Sequence, residues 1–270
     1  MDVQSMSARL RRGGLERLRN SLSERELGIV STLGQHRYLS ARQIEEFQFS
    51  EHATRLTGAR ICRRVLARLT EARVLTRLER RAVGGVYAGS ASYLYTLGPV
   101  GWRLLGEESR SRSRELSETF LDHTLTIGDV HLALVRAERQ GEIELVRVGI
   151  EHSCWRRYTG SGGALEKLRP DLHVVTASGD YEHCWCIEVD LATESLTTVI
   201  RKCRQYVAYR QTGIEQRRSG TFPIVVWSAP TERRTARIAK AIESAKRLPQ
   251  ELFRVVETGA LVGLLAGGTS

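Results

Sequence analysis

Residues 169–190 read RPDLHVVTASGDYEHCWCIEVD. Leu172 to Thr176 and Trp185 to Val189 are strand-like runs, and Ser178-Gly179-Asp180 between them is a turn signal, so the stretch predicts two paired strands, the second running from Tyr181 to Val189. Acids mark the ends of the pair. Asp171 follows Pro170 where the first run starts, and Glu188 and Asp190 close the second. Spaced two apart, Glu188 and Asp190 project from one face of a regular strand. The helix-length segment from Thr193 to Arg210 comes next, and its Lys202, Tyr206 and Tyr209 fall at i, i+4 and i+7 on one face. Three carboxylates on neighbouring strands, with a lysine close behind, form a donor set suited to a hard divalent cation.

Working outward, Phe120 to Arg139 has the apolar spacing of a long helix and Glu142 to Ile150 that of a strand. The first strand of the pair is predicted to run from Leu168 to Thr176. Phe222 to Trp227 (strand), Thr231 to Arg247 (helix) and Phe253 to Val256 (strand) complete the back of the chain. The class expected there, over residues 119–258, is α+β or mixed α/β, a mixed sheet flanked by helices. His123 and Asp129 lie on the helix leading in, where a capping or core role competes with a functional one. Glu151 and Trp155 stand near a strand end, without support from spacing.

The front of the chain, residues 20–106, predicts a winged helix-turn-helix. Ser21 to Gln35 opens with Ser23 and Glu26 at capping-box spacing, and Ser40 caps a second short helix. Thr57 to Ala72 forms a third, with Ile61, Val65, Leu66 and Leu69 as its apolar stripe. A strand from Val74-Leu75, a turn at Gly84-Gly85 and a return strand from Ser92 to Leu97 make the wing, and Gly98 to Leu105 a closing helix. In that arrangement the third helix enters the major groove, offering Arg55, Arg60, Arg63, Arg64 and Arg68 to double-stranded DNA, with Arg80 and Arg81 of the hairpin beside the backbone. The alternative for the same arginines is a solvated face on a protein-contact module. Residues 107–118, polar and alternating, form the expected linker.

Charge is distributed in the same sense. Residues 1–106 hold 18 arginines against 9 acids, a net of +9. The remaining 23 basic and 22 acidic residues give the back only +1, so the grip on a polyanion falls to the front. Lysine is scarce: Lys167, Lys202, Lys240 and Lys246 are the only four among 41 basic residues. Five scattered cysteines without a C-x-x-C pair support neither a disulfide framework nor a zinc ribbon. Cys184 and Cys186, with His183 beside them, read as buried strand thiols, with metal binding as the alternative. There is no uncharged apolar run of the roughly 18 residues that a membrane helix needs. Arg9, Arg11 and Arg12 lack the apolar segment of a secretory signal, and a cytoplasmic protein is expected. The absence of a Gly-x-x-x-x-Gly-Lys loop argues against a nucleotide cofactor, and no His-x-His cluster suggests a histidine-metal relaxase.

Asp171 after Pro170, followed by Glu188-x-Asp190, resembles the core of the PD-(D/E)XK nucleases. From about residue 20 to 250 the chain is also similar to the replication-relaxation family of bacterial plasmids and mobile elements. That likeness rests on Leu121-Asp122-His123-Thr124-Leu125, Arg169-Pro170-Asp171, Glu188-Val189-Asp190 with Thr193-Glu194, and Lys202 with Tyr206. The resemblance implies a magnesium (Mg2+) or manganese (Mn2+) ion on Asp171 and Glu188. It implies a catalytic set of Asp171, Glu188, Asp190 and Lys202, supported by His123, Gln205, Tyr206 and Tyr209. Gln205 and Tyr209 repeat the Gln-x-x-x-Tyr spacing of exonuclease-type members. The superfamily's usual lysine position is Asp190 here, as in its lysine-free members with an acid at that place, and Lys202 from the following helix is the candidate to replace it. The implied function is a DNA-binding protein of plasmid or mobile-element replication and relaxation with a metal-dependent nicking or cleaving domain. A second copy of the chain, in a homodimer, is a candidate partner. The alternative is a non-catalytic replication-control or transcriptional regulator whose back domain serves dimerisation or partner docking.

Overall fold

The structure, a computed structural model, describes residues 12–50, 55–82, 92–107, 117–160 and 162–267. The chain clusters into two compact units, Met1–Leu125 and Thr126–Ser270.

The first unit contains α1 (Arg12–Ser21), α2 (Glu24–His36), β1 (Leu39–Ser40), α3 (Ala41–Gln48), α4 (Arg55–Glu71), β2 (Leu75–Ala82), β3 (Ser92–Leu97) and α5 (Pro99–Leu104). Two capping boxes start its helices: Ser23 with Glu26 at α2, and Ser40 with Gln43 at α3. The three strands form an antiparallel sheet in the order β1-β3-β2. On α4 the buried side chains are Cys62, Leu66 and Leu69, while Ile61 and Val65 are half-buried. The apolar stripe is therefore turned slightly from the expected one, with a small thiol taking the central place. Arg60, Arg63 and Arg64 are exposed. Arg68 is occupied differently: its guanidinium pairs with the buried carboxylate of Glu26, which also accepts from the Ser23 amide at 2.9 Å. The helix cap of α2 is thereby tied to α4. The turn at Gly84-Gly85, the side chains of Arg55, Arg80 and Arg81, and most of the 107–118 segment lie outside the described residues.

The helix α6 (Glu118–Arg139) contains the division between the units. In the second unit it is followed by β4 (Glu144–Ile150), β5 (Arg156–Thr159), β6 (Leu165–Leu168), β7 (Leu172–Ser178), β8 (Tyr181–Val189), α7 (Leu196–Gln211), α8 (Ile214–Ser219), β9 (Ile224–Ala229), α9 (Glu232–Ser244), β10 (Phe253–Glu257) and α10 (Leu261–Ala266). The five-stranded sheet runs β10-β9-β8-β7-β4, with β4, β7 and β8 antiparallel and β8, β9 and β10 parallel. The parallel pairs need crossover connections, which α7–α8 and α9 supply. The whole is a mixed α+β fold with helices on both faces of a mixed sheet. The predicted strand from Leu168 to Thr176 is two elements: Leu168 ends β6, which forms a separate hairpin with β5, and β7 begins only after Pro170 and Asp171. Proline has no amide to donate to a ladder, and the chain leaves one sheet for the other there.

Alternation along β8 assigns its two faces. Trp185, Ile187 and Val189 join Ile127, Val130 and Leu134 of α6 and Leu261 and Leu265 of α10 in one core. Cys186 joins the opposite core, made with Val199, Cys203 and Tyr206 of α7, Ile238 and Ile242 of α9, and Tyr158 and Leu168 of the hairpin. Strands buried on both faces are rich in apolar residues, as the buried parts of β7 and β8 are. Polar side chains are buried there too, His173 and Thr176 on β7 and the carboxyl of Glu188 on β8. Among the described residues no helix is long and apolar enough to cross a membrane.

Replacement of Arg68 by alanine should lower the stability of the first unit by about 1 kcal/mol, because it removes the partner of a buried carboxylate while the arginine itself is half exposed. Arg64→Ala, at an exposed position, should stay within about 0.5 kcal/mol. Urea denaturation followed by circular dichroism measures both.

Candidate functional site

The antiparallel register of β7 and β8 sets Leu172 opposite Ile187, so Asp171 arrives one step beyond it beside Glu188. The Val189 amide donates to Asp171 Oδ2 at 2.8 Å, and the Asp171 carbonyl accepts from the Glu151 amide at 2.9 Å. These bonds fix the aspartate at the end of the strand pair. Glu188, pointing to the α7 face, is fully buried. Ser195 caps α7, with its side chain accepting from the Thr198 amide. The helix then presents Lys202 and Tyr206, one turn apart, to the carboxylate. Tyr206 donates its hydroxyl to Glu188 Oε1, and the Lys202 ammonium contacts Glu188 Oε2. The same ammonium lies 4.0 Å from Asp171 Oδ1, so one lysine serves two acids.

Electrostatics follow from that burial. Desolvation pushes the Glu188 carboxyl up to about 8 against the pull of Lys202, and the neighbouring charge of Asp171 adds to the rise. Burial alone would lower the Lys202 ammonium, but Glu188 and then Asp171 outweigh it and hold lysine above its ordinary range. The Tyr206 hydroxyl is raised by burial and by Glu188, and stays a donor. Cys154, Cys186 and Cys203 are all pushed up by burial and remain thiols. Among the described residues no group of three His, Cys, Asp or Glu side chains could hold a metal, so Cys184, Cys186 and His183 do not form a metal site there.

Asp190 departs from the expected arrangement. β8 ends at Val189, and both oxygens of Asp190 accept from the buried guanidinium of Arg234 on α9, at 2.8 and 2.7 Å. Oδ2 also accepts from the Ala192 amide at 2.8 Å, and Arg234 donates onward to the Glu194 carbonyl at 2.7 Å. A third acid is thus spent on holding the 190–195 turn, and the site consists of two carboxylates and a lysine. Tyr209 also lies elsewhere: its hydroxyl donates to Glu215 Oε2 at 2.6 Å, and Arg156 grips the same carboxylate with two further bonds. Gln205 is exposed on α7, and His123 is half-buried on α6 within the first unit. Arg234, Arg156 and Glu215 carried no local signal, because each finds its partner more than 40 residues away or across a tertiary contact.

Asp171 and Glu188 are hard oxygen donors of the kind magnesium takes, and the Lys202 ammonium stands between them where a divalent cation would have to go. Asp171 and Glu188 are the residues that would hold it.

The model of the replication-relaxation family matches residues 30–225 of this chain. Neither the curated proteins nor the solved structures gave a match. With most of its length covered, the chain belongs to the replication-relaxation family, and a role in replication and relaxation comes with that membership.

Arg234→Ala should destabilise the second unit by about 3 kcal/mol, since it leaves Asp190 charged and buried without its partner. Arg234→Lys should recover only part of that loss, because an ammonium cannot reproduce the two-pronged contact. Thermal and chemical denaturation of the two variants decide the point.

Proposed function

We propose that this member of the replication-relaxation family binds double-stranded DNA through its first unit and, with magnesium or manganese at Asp171 and Glu188, nicks or cleaves a strand through its second. The reading rests on the Lys202 ammonium shared between Asp171 and Glu188. These are the aspartate, glutamate and lysine that the PD-(D/E)XK resemblance implies, with the lysine coming from α7 because Asp190 is committed to Arg234. A bound divalent ion would supply Lewis-acid charge to the scissile phosphate and a polarised water. Lys202 would orient that water or meet the charge developing on the phosphoryl oxygens, and Tyr206 holds Glu188 in place. Plasmid or mobile-element DNA in the cytoplasm is the substrate proposed, by a monomer or a homodimer.

The first unit is read as a winged helix-turn-helix, with three helices α2, α3 and α4 followed by the β2–β3 hairpin. Its α4 carries Arg60, Arg63 and Arg64 exposed, which supports groove or backbone contacts. A second reading has its own support. Glu188 has no solvent exposure and is already matched by Lys202 and Tyr206, as a purely structural ion pair would be. In that case the protein is a non-catalytic regulator, its second unit retained for dimerisation or docking.

Incubation with supercoiled plasmid separates the two. Magnesium- or manganese-dependent nicking is expected from the natural sequence, reduced on the order of 100-fold or more in Asp171→Asn, Glu188→Gln and Lys202→Met. No cutting by any of the four proteins, with DNA binding intact, selects the regulator. Alanine at Arg60, Arg63 and Arg64 together should weaken duplex binding and lessen the salt slope by about 0.9 for each phosphate left without its arginine. An unchanged slope would assign α4 to protein contacts.

A further inference from the structure

Among its described residues the second unit also carries cations that no acid answers. In the β5–β6 hairpin Arg157 stands directly opposite Lys167, a like-charge pair of the kind that destabilises a sheet. Arg169 follows two residues later, and only Pro170 separates it from Asp171. Lys167 Nζ lies 3.7 Å from the centre of the Trp155 ring, and the Arg169 guanidinium 5.2 Å from the same point. The His152 ring is 3.9 Å from that of Trp155. Arg157 and Arg169 are exposed, and Lys167 and Trp155 half-buried.

Nearby acids are engaged elsewhere. Glu215 is held by Arg156, and Glu166 accepts from the Tyr158 hydroxyl at 2.6 Å. Among the described residues Arg157, Lys167 and Arg169 form no ion pair. Lys167 is lowered from its ordinary value first by desolvation, and the charges of Arg169 and Arg157 act in the same direction. Three neighbouring cations, two of them held over an aromatic face, are stabilised by an anion that brings several charges of its own. Guanidinium and ammonium groups together suit phosphate oxygens.

We propose that this hairpin is the phosphate-backbone contact of the second unit: Arg157, Lys167 and Arg169 grip a DNA strand, and Trp155 positions the latter two. The assignment deepens the nuclease reading, on which it relies only for the choice of ligand: Arg169 lies two residues before Asp171.

The test uses the full chain without metal, with a labelled DNA single strand in fluorescence anisotropy between about 50 and 200 mM salt. Alanine at Arg157, Lys167 and Arg169 together should lower the salt slope by about 2 and weaken binding at least about tenfold. Arg169→Ala alone, at an exposed position that folding tolerates, should lower the slope by about 0.7. Trp155→Leu keeps every charge and should weaken binding about 2- to 5-fold with the slope unchanged. Unaltered slope and affinity in the triple and single arginine variants overturn the assignment. So do failure of the natural sequence to bind the strand, and polyglutamate competing as well as DNA. If the natural sequence cuts no plasmid but the hairpin variants lose their slope, the nuclease reading fails and the hairpin assignment stands. If it cuts and the hairpin variants bind unchanged, the reverse holds.

Discussion

A carboxylate that water cannot reach must be matched by a cation or stay protonated, and Glu188 imposes that condition on the centre of the second unit. It sits on β8, the strand that pairs antiparallel with β7 on one side and parallel with β9 on the other. Its match comes from α7, which must therefore lie with Lys202 and Tyr206 over the strand end. Apolar packing seats α7 on the sheet, and Glu188 dictates which of its side chains, Lys202 and Tyr206, stand over the strand end.

The same solution recurs through the molecule with a different cation. Glu26 is met by Arg68, Asp190 by Arg234 and Glu215 by Arg156, each acid buried and each arginine from a separate element. The latter two pairs are two-pronged contacts between planar groups, which fix both partners. Only Glu188 takes a lysine, in a chain that has four. An ammonium is a compact charge on a flexible stem, and its contact is the easiest of the four to exchange for another. The pair next to Asp171 is thus the one built on a point charge instead of a planar fork.

Much of the fold was legible because its signals are local. Ser23 with Glu26 and the apolar alternation of residues 172–189 specify a helix start and a strand pair from neighbouring residues alone. Asp171, Glu188 and Lys202 stood out for the same reason, each marked by its distance from a strand end or helix turn. The β5–β6 hairpin was missed because its strands, RRYT and LEKL, are short and charged, and Leu165 is exposed. Helix α8 was missed because its length is set by the left-handed glycines Gly213 and Gly220 more than by periodicity. The role of Asp190 depended on Arg234, 44 residues away, and no spacing rule reaches that far. The resemblance to the replication-relaxation family, carried by order and spacing, holds.

The uneven burial of the aromatic residues gives this chain an optical property. Trp102, Trp185 and Trp227 are packed inside cores, while Trp155 is half open to solvent and lies under a lysine and an arginine. Indole emission that a dissolved quencher can reach therefore comes from one place in the molecule. The natural protein already contains a spectroscopic label on its hairpin, and events there can be followed in solution without attaching a dye.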